Sequence, residues 1–292
     1  GRATSGGLLC DDMGLGKTVQ IAAFLGALFG SAESSRRATR VLIAVPKVVF
    51  EQWVEELHHW FRGALGSDEK YAVRKFSSAN ASNKRGGVRQ RDRELLEVAH
   101  PTTGFGVVLT TTSLVHNGAL SKALLAARTR DAAAGRPWPA PWSGDAELPC
   151  DAAEGALGSA SVPLFDYLIV DEAHEIKKGK KLYREFCELE AAFGFRHKLL
   201  LTGTPIMNKL EELYTLLDFA VGRRFLGSHA DFCAHFGDVI NSGRLKDASA
   251  GAIDACHATL GRLLRTVRGV VLRRMWELEK GEGASGDGGA AA

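Results

Sequence analysis

Five short, mostly continuous apolar runs constrain what this chain can fold into: GLLC (7–10), VLIAV (41–45), GVVLT (106–110), DYLIVD (166–171) and HKLLLT (197–202). Strands buried on both faces of a parallel sheet have this length and this lack of polar alternation. Helix-like stretches at Thr18–Phe29, Phe50–Phe61, Arg91–Val98 and Leu182–Phe193 separate several of the runs. Strand and helix in alternation require right-handed βαβ crossovers, so the expected fold is α/β, a doubly wound and mostly parallel sheet. Ligands bind such sheets beyond the carboxyl ends of their strands. The residues just after each run are where chemistry is to be sought.

Composition narrows the class. Hydrophobic residues at 45% and charged residues at 24% are ordinary globular usage, which excludes a disordered or fibrous chain. No apolar run approaches the roughly 20 residues of a membrane span, and GRATSGGLLCDDMG lacks the apolar core of a signal peptide, so a soluble intracellular protein is expected. The cysteines, 5 in all, are odd in number and form no C-x-x-C pair, which argues against a disulfide framework and a Cys-rich zinc site. Lys and Arg total 37 against 34 acids, and a net charge of +3 is too small to indicate nucleic-acid binding by itself.

The first run leads into Asp11, Asp12, Met13, Gly14, Leu15, Gly16, Lys17 and Thr18, followed by the apolar stretch VQIAAFLGALF. Glycines let a backbone curl so that its N–H groups face phosphate, and the following helix start adds partial positive charge. Lys17 can then reach β/γ oxygens and Thr18 can hold Mg²⁺, the pattern of a nucleoside triphosphate site. The match to G-x-x-x-x-G-K-[ST] is incomplete, because Asp11 stands at the first position. After the fourth run, Asp171 and Glu172 form an acidic pair at a strand end. Such a pair can be a solvated turn or a helix cap; beside a phosphate loop, Asp171 is expected on Mg²⁺ and Glu172 on the attacking water.

Taken in order, DDMGLGKTVQ, VPKVVFEQWVEEL, VVLTTTSLV, IVDEAHEIKK, LLLTGTPIMNKLEELYTLLDF and VVLRRM resemble the motifs of the Swi/Snf-type ATPases of helicase superfamily two. FGDVINSGRLKDAS (236–249) followed by LGRLLRTVRGVVLRRM (260–275) looks most similar to the Cockayne syndrome group B-like repair subgroup. The resemblance implies a RecA-like P-loop lobe over residues 1–224 with an insertion at 128–163, a helical extension over 225–280 and a flexible tail over 281–292. It implies ATP and Mg²⁺ as cofactors, double-stranded DNA as partner with nucleosomes or transcription and repair proteins beside it, a monomer, no membrane, and a nuclear location.

Position by position, the resemblance carries phosphate and Mg²⁺ binding to Asp12, Met13, Gly14, Leu15, Gly16, Lys17 and Thr18, and metal binding and hydrolysis to Asp171 and Glu172. His174, Thr202, Gly203 and Thr204 match groups that couple nucleotide state to DNA contact. Pro46, Lys47, Gln52 and Trp53 match the first DNA-side motif and Thr110 and Thr111 the second, where Thr112 replaces a usual aromatic. Lys177 and Lys178 are further phosphate candidates, although a basic run is ordinarily a solvated face. Arg262, Arg265 and Arg268 read as one face of a packed helix, and Arg273 and Arg274 match a family element near the hinge between lobes. The stretch GRATSGGLLCDDM holds no candidate for the family's adenine-recognising Gln, and nothing after Arg274 resembles its second lobe. A nucleotide-binding fragment with feeble hydrolysis is therefore expected. An RNA helicase lobe and a non-catalytic interaction module are the alternatives.

Overall fold

The computed structural model describes residues 6–35, 39–65, 72–77, 105–133, 163–177, 179–206, 209–222 and 225–275. Seven strands, β1 (Gly6–Leu9), β2 (Thr39–Val45), β3 (Ala72–Phe76), β4 (Phe105–Thr111), β5 (Phe165–Val170), β6 (Phe195–Leu201) and β7 (Val271–Leu272), form one sheet in the order β3-β4-β2-β5-β6-β1-β7. Every pairing is parallel. The carboxyl ends of β1, β5 and β6 therefore lie side by side on one edge.

The pattern of β2 shows why the sheet must be sandwiched. Val41, Ile43 and Val45 face one cluster and Leu42 and Ala44 the other, all fully buried. On the first face lie α1 (Lys17–Ser35), through Ile21, Ala22, Leu25 and Phe29, and α2 (Phe50–Leu65), through Trp53, Val54, Leu57 and Phe61. Each set recurs at three- and four-residue spacing, which lines one side of a helix. The opposite face is covered by α3 (Thr112–His116), α4 (Ala119–Ala133), α5 (Lys181–Phe193) and α6 (Leu210–Val221).

The five apolar runs correspond to β1, β2, β4, β5 and β6, with ends shifted by one or two residues. Strands β3 and β7 were not foreseen: β3 is a sheet-edge strand with Arg74 and Lys75 in its sequence, and β7 has only two residues. The expected insertion at 128–163 begins too early, because residues 128–133 complete α4, in keeping with the helix propensity of its Ala- and Arg-rich sequence. The expected helix at 91–98, the remainder of the insertion and the tail lie outside the described residues.

The segment after Phe225 is largely helical until Val267. It comprises α7 (His229–Phe232), a π-helical turn (Cys233–Gly237), α8 (Asp238–Gly243) and α9 (Ala250–Val267). Ser228 and Asp231 form a capping box at α7, and Ser249 caps α9. The segment then turns back as β7, so its end belongs to the sheet itself, and Phe232, Ile240, Leu263 and Val267 join the same core as β5 and β6. Glycine permits the close packing of β1 against β6 and α6. A Cβ on Gly6 would lie 2.2 Å from the Lys198 carbonyl oxygen and 2.3 Å from that of Ala220. Among the described residues no helix is long and apolar enough to cross a membrane.

Candidate nucleotide site

The loop between β1 and α1 curls through two glycines at positive φ, Gly14 at 84° and Gly16 at 69°, a region that side chains other than glycine rarely adopt. Lys17 Nζ donates to the carbonyl oxygens of Asp11 at 2.8 Å and Asp12 at 3.2 Å, so the ammonium is held inside the curl. Met13 and Gly14 are exposed, and Asp12, Leu15, Gly16 and Thr18 are half-buried. Cys10, just before the loop, is fully buried, and burial pushes its thiol up to about 11.

Asp11 is the unexpected member. Its carboxylate is completely buried, accepts from the Arg274 amide at 2.8 Å and Nε at 3.0 Å, and meets Arg274 again through Nη2. Gln20 Nε2 adds a fourth donor at 3.2 Å. Burial disfavours the charge, but the hydrogen bonds from Arg274 and Gln20 outweigh it and hold the carboxyl below its usual range. Nothing in the local sequence announces this partner, 263 residues away. The available signal was an acid where the phosphate-loop pattern has glycine.

At the end of β5, Asp171 is nearly buried, with Oδ2 accepting from the Trp53 indole at 2.9 Å and Oδ1 from the Glu172 amide at 2.9 Å. Both donors are neutral groups. Glu172 has φ 48°, the one non-glycine residue at positive φ among those described. Such strain concentrates where a side chain must be aimed. Glu172 Oε2 lies 3.1 Å from His174 Nδ1, off the axis of a hydrogen bond, and the same ring nitrogen lies 3.3 Å from Thr202 Oγ1. The Thr204 amide donates to Thr202 Oγ1 at 3.1 Å, and Gly203 packs against Met13 of the phosphate loop. The structure thus brings His174, Thr202, Gly203 and Thr204 to the junction between the acidic pair and the loop.

The DNA-side expectations divide. Lys47 and Gln52 are exposed and Pro46 is half-buried at the start of α2. Trp53 is 1% exposed and its indole serves Asp171, which corrects its assignment as a surface contact. Thr110 is fully buried and donates to the Phe76 carbonyl, while Thr111 accepts from the Leu114 amide as the N-cap of α3, so both stabilise the lobe and neither presents a surface to a strand. Lys177 pairs with Glu212 of α6 at 3.4 Å. Lys178, Met207 and Asn208 lie outside the described residues.

A family model described as the SNF2-related domain matches residues 2–279. The chain belongs to the SNF2-related family. Curated relatives of this SNF2-related domain include the mouse (Mus musculus) DNA excision repair protein ERCC-6-like, 30% identical over 93% of the chain and 17% of that protein. The human (Homo sapiens) DNA excision repair protein ERCC-6 is 25% identical over 93% of the chain and 15% of that protein, and Protein CHROMATIN REMODELING 24 of Arabidopsis thaliana 30% over 74% and 15%. The chain thus spans less than a fifth of the length of these relatives. A crystal structure of the Pyrococcus furiosus Hef helicase domain is similar with a TM-score of 0.41 at 14% identity, covering 92% of this chain and 52% of that one.

Proposed function

We propose that this SNF2-related domain is the ATP-binding and hydrolysing lobe of a nuclear, double-stranded DNA translocase of the remodelling and repair type. The observation that supports it most directly is the meeting, on one sheet edge, of a phosphate-type loop with Lys17 inside its curl and an acid, Asp171, whose charge is uncompensated by its neutral donors. Gly14, Gly16 and the α1 N-terminus suit the phosphates, and Thr18 with Asp171 supplies oxygen ligands for Mg²⁺. Bound there, Mg²⁺ would neutralise charge that develops on the phosphate oxygens.

Lys17 places a positive charge against the β/γ-phosphates. Glu172, held in a left-handed conformation at the strand end, orients a water and accepts its proton. His174 stands between that carboxylate and Thr202, within reach of both. Exposed Lys47 and Gln52 at the start of α2 face the duplex, and Trp53 on the same helix connects that surface to Asp171.

The test is a titration of a fluorescent ATP analogue, with and without Mg²⁺, on the wild-type chain, Lys17→Ala and Glu172→Gln, followed by turnover with and without duplex DNA. Lys17→Ala should abolish binding. Glu172→Gln should bind but not turn over. Unchanged binding by Lys17→Ala would refute the proposal.

A further inference from the structure

The carboxylate of Asp11 and the guanidinium of Arg274 belong to none of the roles above, yet they form the most heavily bonded charged pair at the candidate site. We propose that Arg274 is a positioning residue for the phosphate loop, acting through Asp11 and Gln20; the proposal rests on the ATP reading of that loop.

Three observations carry it. First, the β1–β7 ladder does not stop with the strands: Leu8 donates to Val270, Cys10 to Leu272 and Asp12 to the Arg274 carbonyl at 3.1 Å, so alternate amides tie the chain down into the loop itself. Second, Arg274 closes a triangle. It contacts Asp11 through its amide, Nε and Nη2, and Gln20 Oε1 through Nη2, while Gln20 Nε2 donates to Asp11 and, at 2.9 Å, to the Leu15 carbonyl. The start of the loop, its middle and the first turn of α1 are therefore fixed relative to one another by one side chain. Third, Lys17 is anchored on the Asp11 carbonyl, so a rotation of Asp11 moves the phosphate-binding ammonium. The charged groups near this cluster are Lys17 and Arg273, the latter 4.0 Å from Asp12.

A fully buried carboxylate left without its cation must move, protonate or admit water. Loss of Arg274 should thus deform the loop locally while the sheet centre, packed on both faces, persists. Lysine cannot replace the fork, because its single ammonium does not reproduce a two-pronged contact.

Hydrogen exchange and ATP-analogue affinity measured on the whole chain for wild type, Arg274→Ala, Arg274→Lys, Asp11→Asn and the Asp11→Asn/Arg274→Ala pair decide the matter, with Arg268→Ala as control. Expected are faster exchange at residues 12–16 with unchanged protection at 42–44 and 168–170, and Mg²⁺-nucleotide affinity at least tenfold weaker in Arg274→Ala. Arg274→Lys should regain only part of it. The double variant should be no worse than Asp11→Asn. Affinity within twofold of wild type, or exchange that rises equally across the sheet, would overturn the proposal. If the wild type binds no nucleotide, the ATP reading fails, and the exchange pattern alone then decides whether Arg274 shapes the loop.

Discussion

Two acidic pairs stand at strand ends on the same edge of the sheet, Asp11–Asp12 after β1 and Asp171–Glu172 after β5, with β6 between them. In each, the first acid is buried and the second partly exposed. Their partners differ. Asp11 is neutralised by an arginine, so its charge is consumed within the fold. Asp171 is held by an indole N–H and an amide, which orient a carboxylate without cancelling its charge. If Asp171 is the Mg²⁺ ligand proposed above, burial does not separate it from the structural Asp11; the charge of the donors does.

That contrast can be broken at its strongest point first. Glu172→Gln should lower ATP hydrolysis by at least about 100-fold, the scale of a lost general base, with nucleotide affinity changed by less than about threefold; turnover assays beside equilibrium titration check it. Asp171→Asn and Asp11→Asn should then separate. The first removes Mg²⁺-dependent affinity with little change in urea midpoint, and the second lowers the midpoint by more than the roughly 0.5 kcal/mol of a surface substitution. Trp53→Phe deletes one donor to Asp171 and should raise the Mg²⁺ concentration for half-saturation about tenfold, as loss of a hydrogen bond to a charged group predicts.

The pH dependence sharpens the comparison further. Because hydrogen bonds outweigh burial and depress the folded-state value of Asp11, its stabilising contribution is complete above the ordinary aspartate range and disappears as pH falls through that range toward the depressed value. The stability gap between wild type and Asp11→Asn should be flat near neutrality and close in acid. The smallest effect is expected from Thr111→Ala, which removes the α3 cap, costs about 0.5–1 kcal/mol in thermal unfolding and leaves DNA affinity unchanged.

Much of this architecture was legible because hydrophobic continuity and glycine placement are local signals. The five buried runs correspond to five strands, and Gly14, Gly16 and Lys17 mark the loop in the sequence itself. The direction of Trp53 was not legible. It sits between exposed Gln52 and buried Val54 on α2, and only the packing of that helix on the sheet turns its indole toward Asp171. Thr110 and Thr111 misled for a similar reason: a hydroxyl at a strand end suits both a ligand contact and a cap, and the choice depends on how deep the strand end lies. Arg274 was visible as one of a pair of arginines, but its partner lies 263 residues away along the chain.

The zipper between β7 and the first strand also has a consequence for the order of events during synthesis. β1 has its neighbours at residues 198–201 and 271–272, so two segments translated long after it must arrive before either side of it is paired. Contacts of such separation form late and slowly. The loop that is translated near the beginning of this domain is therefore among the last parts of it to be finished, and a nascent chain that has not yet released Arg274 from the ribosome carries every phosphate-loop residue without the clamp that shapes them.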